Sequence, residues 1–444
     1  MRIRRAAVLL LLLWAPGAGA MTIERVTSPA GIEAWLVEDH TLPVVTLRLA
    51  FTGGAALDPT GKSGLASLVA SLLDEGAGPY DAAAFQTRLE DLVTTLHFQA
   101  GLDDFSGSLR TLKRHLKEVE ELLHLALTAP RFDLNAIERV RSQIVASLTQ
   151  QAQNPRPLSK RLWMRDAFGD HPYGQNTEGS IDSVRAITRE DLRGFVTERL
   201  HRTGLVVGAV GDLSGAELAS FVDGVFGELP RGTSDAELAE ARATEAGALQ
   251  IMRLAVPQST VTFGQAGPKR DDPDWYAALL ANDILGGSGF RGRLMKEIRE
   301  KRGLAYSVST ALVSFRHAGL ILGTVATENA RVARSIALIR EEWRRMCEEG
   351  PSESELDDTK SYLIGSFPLS LDTSERISAL LVEMQREALG IDYLSRRAAL
   401  FGAVTLADVR RVARCLLDPD GLSFVVVGDP TDLAPSRTRP ASRF

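Results

Sequence analysis

Two residue types able to grip a carbonyl or carboxylate stand four apart in the second half of this chain, in the run LGGSGFRGRLMKEIREKRGLAYSV from Leu285 to Val308. They are Arg302 and Tyr306. An arginine at a helix end and a tyrosine at the start of the next strand can converge on one point, presenting a planar cationic fork and a phenolic hydroxyl to a carbonyl or carboxylate. Taken alone, an Arg-x-x-x-Tyr spacing describes a surface arginine and a half-buried strand tyrosine equally well. Two serines one helical turn apart, Ser67 and Ser71, are the next candidates. A serine nucleophile needs a base within hydrogen-bond reach, and no histidine or lysine lies on that helix face, so packing of small residues is the reading we adopt. The seven histidines offer no pair at i, i+4 spacing, and His171, in a His-Pro-Tyr-Gly loop, is expected to be structural.

The elements that must position these residues follow from periodicity. Leu294 and Ile298 are four apart on one face of a predicted helix, Gly303 stops it, and Ala305 to Val313 reads as a strand. Before the helix, Gly286, Gly287, Ser288 and Gly289 form a glycine run that is either a turn leading into a helix or a mobile contact for substrate. Further strands are predicted over 31–37, 44–52, 250–256 and 261–266. Helices are predicted over 63–75, 82–92, 109–128, 135–152, 275–285, 330–349 and 353–367. Mixed runs of strands and helices with hairpin-length gaps favour an α+β layered architecture.

An internal repeat organises the whole. ITREDLRGFVTERLHRTGLVVGAVGDL (187–213) and VTLADVRRVARCLLDPDGLSFVVVGDP (404–430) align without a gap: Thr188 with Thr405, Gly204 with Gly421, Asp212 with Asp429, each 217 apart (405 − 188, 421 − 204, 429 − 212). Each copy reads as a threonine-capped helix, a Gly-Leu turn and a β-branched run ending in Gly-Asp. The chain therefore comprises two related domains, 21–230 and 249–444, joined by a charged, alanine-rich surface linker at 231–248.

Composition bounds the partners. With 444 residues, 44% hydrophobic and 24% charged, the chain can bury two sizeable cores, and a formal net charge of −6 argues against nucleic acid. Arg2, Arg4 and Arg5, a short apolar run and Ala18-Gly19-Ala20 form a secretory signal peptide over 1–20, so periplasmic export and a mature start at Met21 are expected. No later stretch reads as a membrane span. Cys347 and Cys415 permit one disulfide or two free thiols.

Together these features resemble the pitrilysin or insulinase family of zinc peptidases, in its processing-peptidase-like branch. The resemblance rests on LGGSGFRGRLMKEIREKRGLAYSV, on FTGGAALDPTGKSGLASLVASLLDEGAG (51–78), on HPYGQNTEGSIDSVRAITREDL (171–192) and on the repeated Gly-Asp strand ends. It implies two homologous α/β layered domains of the processing-peptidase fold, forming half of a clam-like chamber. Active members carry His-x-x-Glu-His after a Gly-Leu-Ala, plus a later glutamate, to hold zinc and activate water. Here Gly64-Leu65-Ala66 is followed by Ser67, Ala70 and Ser71 at the histidine, base and histidine positions, and the later ligand falls at Ser147. The resemblance thus implies a chain without its own zinc that completes the site of a homologous zinc-bearing subunit in a heterodimer. Arg302 and Tyr306 would grip the substrate carbonyl or stabilise the oxyanion on an extended peptide, with Gly286, Gly287 and Gly289 as substrate contacts. The alternative is a non-enzymatic scaffold or peptide-holding assembly protein of the same fold.

Overall fold

The computed structural model describes residues 21–232, 238–244, 247–287, 289 and 291–436. The expected signal segment 1–20, parts of the linker, and Ser288 of the glycine run lie outside the described residues.

The first half contains strands β1 (Glu24–Thr27), β2 (Glu33–Glu38), β3 (Val44–Thr52), β4 (Thr95–Ala100), β5 (Asp104–Leu112) and β6 (Val206–Gly211). Its helices are α1 (Leu65–Ala70), α2 (Ala82–Asp91), α3 (Leu116–Thr128), α4 (Leu134–Gln151), α5 (Pro155–Phe168), α6 (Ile181–Ala186), α7 (Arg189–Arg199) and α8 (Gly215–Phe226). The second half contains β7 (Leu249–Arg253), β8 (Gln258–Ala266), β9 (Ala305–Ser314), β10 (Gly319–Glu328) and β11 (Ser423–Gly428), with α9 (Trp275–Gly286), α10 (Val332–Glu348), α11 (Glu353–Gly365), α12 (Ser374–Arg386), α13 (Tyr393–Ala403) and α14 (Leu406–Leu416).

The two sheets run in the orders β1-β2-β6-β3-β5-β4 and β7-β11-β8-β10-β9. Apart from the extra edge strand β1, they superimpose in sequence order and in sense: β2 with β6 and β7 with β11 are the parallel pairs, and the other neighbours are antiparallel. The repeat read from the sequence is therefore the last helix and central strand of each half. Bounds of α7 and α14, and of β6 and β11, all differ by 217 (406 − 189, 423 − 206). Thr188 and Thr405 each cap their helix in a reciprocal box with Asp191 and Asp408.

The central strands of each sheet are buried on both faces, the second face being covered by a helix of the other half, whereas the edge strands β4 and β9 leave side chains exposed. In β2, Ala34 and Leu36 point into the first half's own core while Trp35 and Val37 point at Leu381 and Met384 of α12. In β11, Phe424 and Val426 point into the second half's core while Val425 and Val427 meet Leu162, Trp163 and Phe168 of α5. Alternation along a strand makes this division, and each large apolar side chain so buried contributes about 1.5–3 kcal/mol. Close approach is allowed by glycine on the covered strands. A Cβ on Gly208 would lie 2.8 Å from Leu381, and one on Gly264 would lie 2.8 Å from the Trp163 ring. Polar contacts fix the seam as well: Tyr173 donates to Asp103 Oδ1 at 2.5 Å, and the backbone N–H of His317 donates to the Tyr173 hydroxyl at 3.1 Å.

Three sequence expectations are corrected. Residues 109–112 belong to strand β5, and the helix expected over 109–128 starts at Leu116. Leu109, Leu112 and Leu116 mimic helical spacing, but Phe105 and Leu109 are buried with period 2 against β3 and β4. The helix expected over 63–75 is the six-residue α1, continued by turns. The described part of the linker is not a free surface segment: Ala241 N–H donates to His317 O, Thr244 N–H donates to Ala167 O, and Ala243 is buried beside α5. Its alanines are small enough to lie flat on that helix.

Candidate functional site

Arg302 and Tyr306 flank a pinned turn. Residues Met295–Glu300 form a π-helical turn, a widened form that recurs at functional positions. Its inner side is anchored by Leu294 and Ile298, both fully buried. Below it, Arg293 makes a two-pronged pair with Glu355 on α11, Nε to Oε1 and Nη2 to Oε2, each 2.7 Å. Burial pushes the Glu355 carboxyl up, but Arg293 and the Ser352 N–H outweigh it and hold it down to about 2. The chain leaves the turn at Gly303, whose φ of 59° is left-handed and stops the helix. Gly303 O accepts from Arg331 Nη1 at 2.8 Å, Leu304 O accepts from Thr327 Oγ1 at 2.6 Å, and β9 begins at Ala305.

Within this frame Arg302 Nη1 donates to both the backbone oxygen (2.9 Å) and the carboxylate of Glu297. The same carboxylate accepts from Lys301, and hydrogen bonds from Lys301 and then Arg302 hold it below its usual range. The remaining N–H groups of Arg302, at Nε and Nη2, have no partner among the described residues. Tyr306 is 82% exposed, its hydroxyl likewise has no partner among the described residues, and the Arg299 guanidinium lies 4.9 Å from its ring centroid. The turn thus displays one edge of a guanidinium and one phenol to solvent, each braced from behind. Neither Glu297 nor Arg331 was singled out in the sequence. Glu297 and Lys301 carried an i, i+4 signal, whereas Arg331 is brought in from 28 residues away.

The glycine run divides. Gly286 closes α9 and Gly287 follows it, both buried, and a Cβ there would strike Thr310 and Asp283 respectively. Gly289, with φ of 101°, is exposed. Packing thus accounts for the first two glycines, and only Gly289 faces solvent. Beyond it Arg291 stacks on Tyr362 of α11, 3.6 Å from the ring centroid.

Ser67, Ser71 and Ser147 are each engaged by hydrogen bonds within the chain. Ser67 Oγ donates to Thr177 O at 2.7 Å, Ser71 Oγ donates to Ser67 O at 3.0 Å, and Ala70 is buried. Across from them, Gln151 of α4 donates to both Ser147 Oγ (3.1 Å) and Glu178 Oε2 (2.8 Å). Among the described residues no group of three or more His, Cys, Asp or Glu side chains stands together to hold a metal. Helix α1 is nonetheless carefully mounted. Asp58, with a fully buried side chain, accepts from the N–H groups of Gly64 (2.8 Å) and Ala66 (3.2 Å) and pairs with Arg199 at 3.4 Å. Burial pushes its carboxyl up to about 6 against the pull of Arg199 and those N–H groups. His171 is structural, as expected: Nδ1 accepts from Tyr173 N–H and Nε2 donates to Ala239 O. Cys347 and Cys415 are free thiols.

Two layered halves with matching strand order and helix plan define the class: the two-domain processing-peptidase fold. The sequence matches the insulinase family (peptidase family M16) over residues 34–180 and the peptidase M16 inactive domain over 186–363, and the chain belongs to that family. The crystal structure of a peptidase M16 inactive domain from Pseudomonas fluorescens superposes with a TM-score of 0.86 at 28% identity, covering 93% of this chain and 98% of that one. The Helicobacter pylori protein named non-peptidase homolog YmxG is 29% identical over 357 residues, 80% of this chain and 82% of that one. A Streptomyces coelicolor protein described as an uncharacterized zinc protease is 26% identical over 435 residues, 95% of this chain and 93% of that one.

Proposed function

We propose that this chain is the non-metal subunit of a heteromeric M16 metallopeptidase, exported to the periplasm, which completes the active site of a homologous zinc-bearing partner. The observation that carries the reading is the contrast in polar satisfaction. The Ser67, Ser71 and Ser147 hydroxyls each have a hydrogen-bond partner within the chain, while Arg302 and Tyr306 hold donors unpartnered among the described residues toward solvent on a braced turn. Zinc held by the partner would supply the activated water in the assembled enzyme. Arg302 and Tyr306 donate to the carbonyl oxygen of the bound peptide, favouring the charge that develops there. An extended peptide would pair with a strand edge, and β4 and β9 are the edge strands at one side of each sheet. Export is supported by the basic, apolar and small-residue order of the first twenty residues.

The test is reconstitution. The purified chain alone is expected to cleave no peptide, and mixing it with its zinc-bearing homologue is expected to yield activity. If Arg302→Ala and Tyr306→Phe variants assemble normally and the mixture cleaves at the unaltered rate, the chain is a scaffold of the same fold.

A further inference from the structure

The geometry points to a narrower ligand at this turn: we infer that Arg302 and Tyr306 bind the free C-terminal carboxylate of a peptide, the group that hydrolysis creates from the carbonyl. This rests on the reading that the pair contacts peptide and goes beyond it by naming which end is held.

A guanidinium has five N–H donors in a rigid plane. Glu297 takes both of those on Nη1, one through its backbone oxygen and one through its carboxylate, so the side chain is clamped from one end. What remains unpaired among the described residues, on a side chain 36% exposed, is the Nε–Nη2 edge, two donors side by side at the spacing of the two oxygens of a carboxylate. A peptide carbonyl offers one oxygen to that edge, and a carboxylate offers two. The phenol of Tyr306, four residues further along, is exposed with Arg299 over its ring and adds a third donor.

Charge agrees with geometry. From Lys296 to Tyr306 the chain carries four cations, Lys296, Arg299, Lys301 and Arg302, against two acids, Glu297 and Glu300, in a protein whose formal net charge is −6. Glu297 faces inward, engaged by Lys301 and Arg302, and the nearby Glu328 is paired with Arg331 at 3.0 Å. An anion arriving at the Nε–Nη2 edge therefore meets a locally positive surface on an acidic molecule. Preorganisation favours it too, because the turn is pinned through Gly303 and Leu304, and little ordering remains to be done on binding. Glu297 is on this account a positioning residue, acting through Arg302.

The experiment measures fluorescence anisotropy of the isolated full chain with a fluorescein-labelled oligo-alanine peptide ending in a carboxylate, and with the same peptide ending in a carboxamide. The acid is expected to bind at least about tenfold more tightly than the amide, the scale of a charge-assisted bidentate pair. Arg302→Lys, which keeps the charge and removes the fork, is expected to abolish that preference, and Glu297→Ala to weaken it while Glu297→Gln largely preserves it. Equal binding of acid and amide, binding of neither at millimolar peptide, or a preference that survives Arg302→Lys would each overturn the inference. Circular dichroism of each variant separates a lost fold from a lost ligand. The two readings fail separately. No acid preference, with Arg302 still required for reconstituted cleavage, overturns this ligand alone. A clear preference, with the Arg302→Ala assembly cleaving at full rate, overturns the proposed function alone.

Discussion

The two halves share a strand order and a helix plan, yet they treat their polar surface in opposite ways. In the first half, Ser67, Ser71 and Ser147 are small polar side chains that hydrogen-bond within the chain: Ser67 to Thr177, Ser71 back along its own helix, Ser147 accepting from Gln151. In the second half, a turn of similar rigidity sends Arg302 and Tyr306 outward, with donors left unmatched among the described residues. A hydroxyl already paired within its own chain has little left to offer a ligand, whereas donors held from behind and left open can meet one. On the proposed reading it is the second half that meets the substrate.

The largest effect expected from breaking this comparison falls on the mounting of the first half. Asp58→Ala removes the acceptor for the first N–H groups of α1 and leaves Arg199 buried without its carboxylate, which should destabilise the fold by about 3–5 kcal/mol. Equilibrium unfolding in urea measures it. A loss no greater than that of an exposed Asp→Ala change would mean that α1 is held by packing alone.

Next in size is the second half's chemistry. Arg302→Ala should reduce turnover of the reconstituted assembly by about 10²-fold, the usual effect of removing one oxyanion donor, with Tyr306→Phe no larger. Steady-state kinetics on a quenched peptide reads both. Neither substitution should shift the unfolding midpoint appreciably, since both side chains are exposed.

A third prediction sharpens the symmetry itself. Each sheet borrows a helix from the opposite half, so Gly208→Val, facing Leu381 of α12, and Gly264→Val, facing Trp163 of α5, should each destabilise by about 1–3 kcal/mol through overpacking. Both should weaken the seam between the halves, and limited proteolysis should then release fragments near the 231–248 linker. Unchanged protease resistance in both would show that the exchanged helices do not hold the halves together.

How much of this could be read from the residues depends on distance along the chain. The repeat was legible because Thr188 and Thr405, and the Gly-Asp ends of β6 and β11, occupy identical offsets, and local capping and turn rules read such features directly. The Arg302 turn was legible in outline from Gly303 and the β-branched run after it. Strand β5 was misread because Leu109, Leu112 and Leu116 satisfy two periods at once, and only pairing with β3 and β4 decides between them. The exchange of α5 and α12 left no local trace: its partners are more than a hundred residues away, as in the Ser159–Thr262 and Gln385–Val207 hydrogen bonds. Nor could sequence show that Gly286 and Gly287 serve packing while Gly289 alone is open, since all three look alike until Thr310 and Asp283 are placed beside them.

The last effect is a pH dependence of opposite sign in the two halves. Asp58 has its folded value raised to about 6 by burial, above the ordinary 3.8, so the folded state binds the proton more tightly and stability falls as pH rises from about 4 to about 6. Glu355 has its folded value held down to about 2, below the ordinary 4.5, so its contribution is present above pH 4.5 and is lost as pH falls toward 2. Urea midpoints measured from pH 2 to 7 should therefore show Asp58→Asn flattening the slope on the neutral side and Glu355→Gln flattening it on the acid side, each without the other. If one variant flattened both limbs, or neither did, the two anchors would not be independent. The rigid mounts of the closed site and the open site would then be a single coupled network.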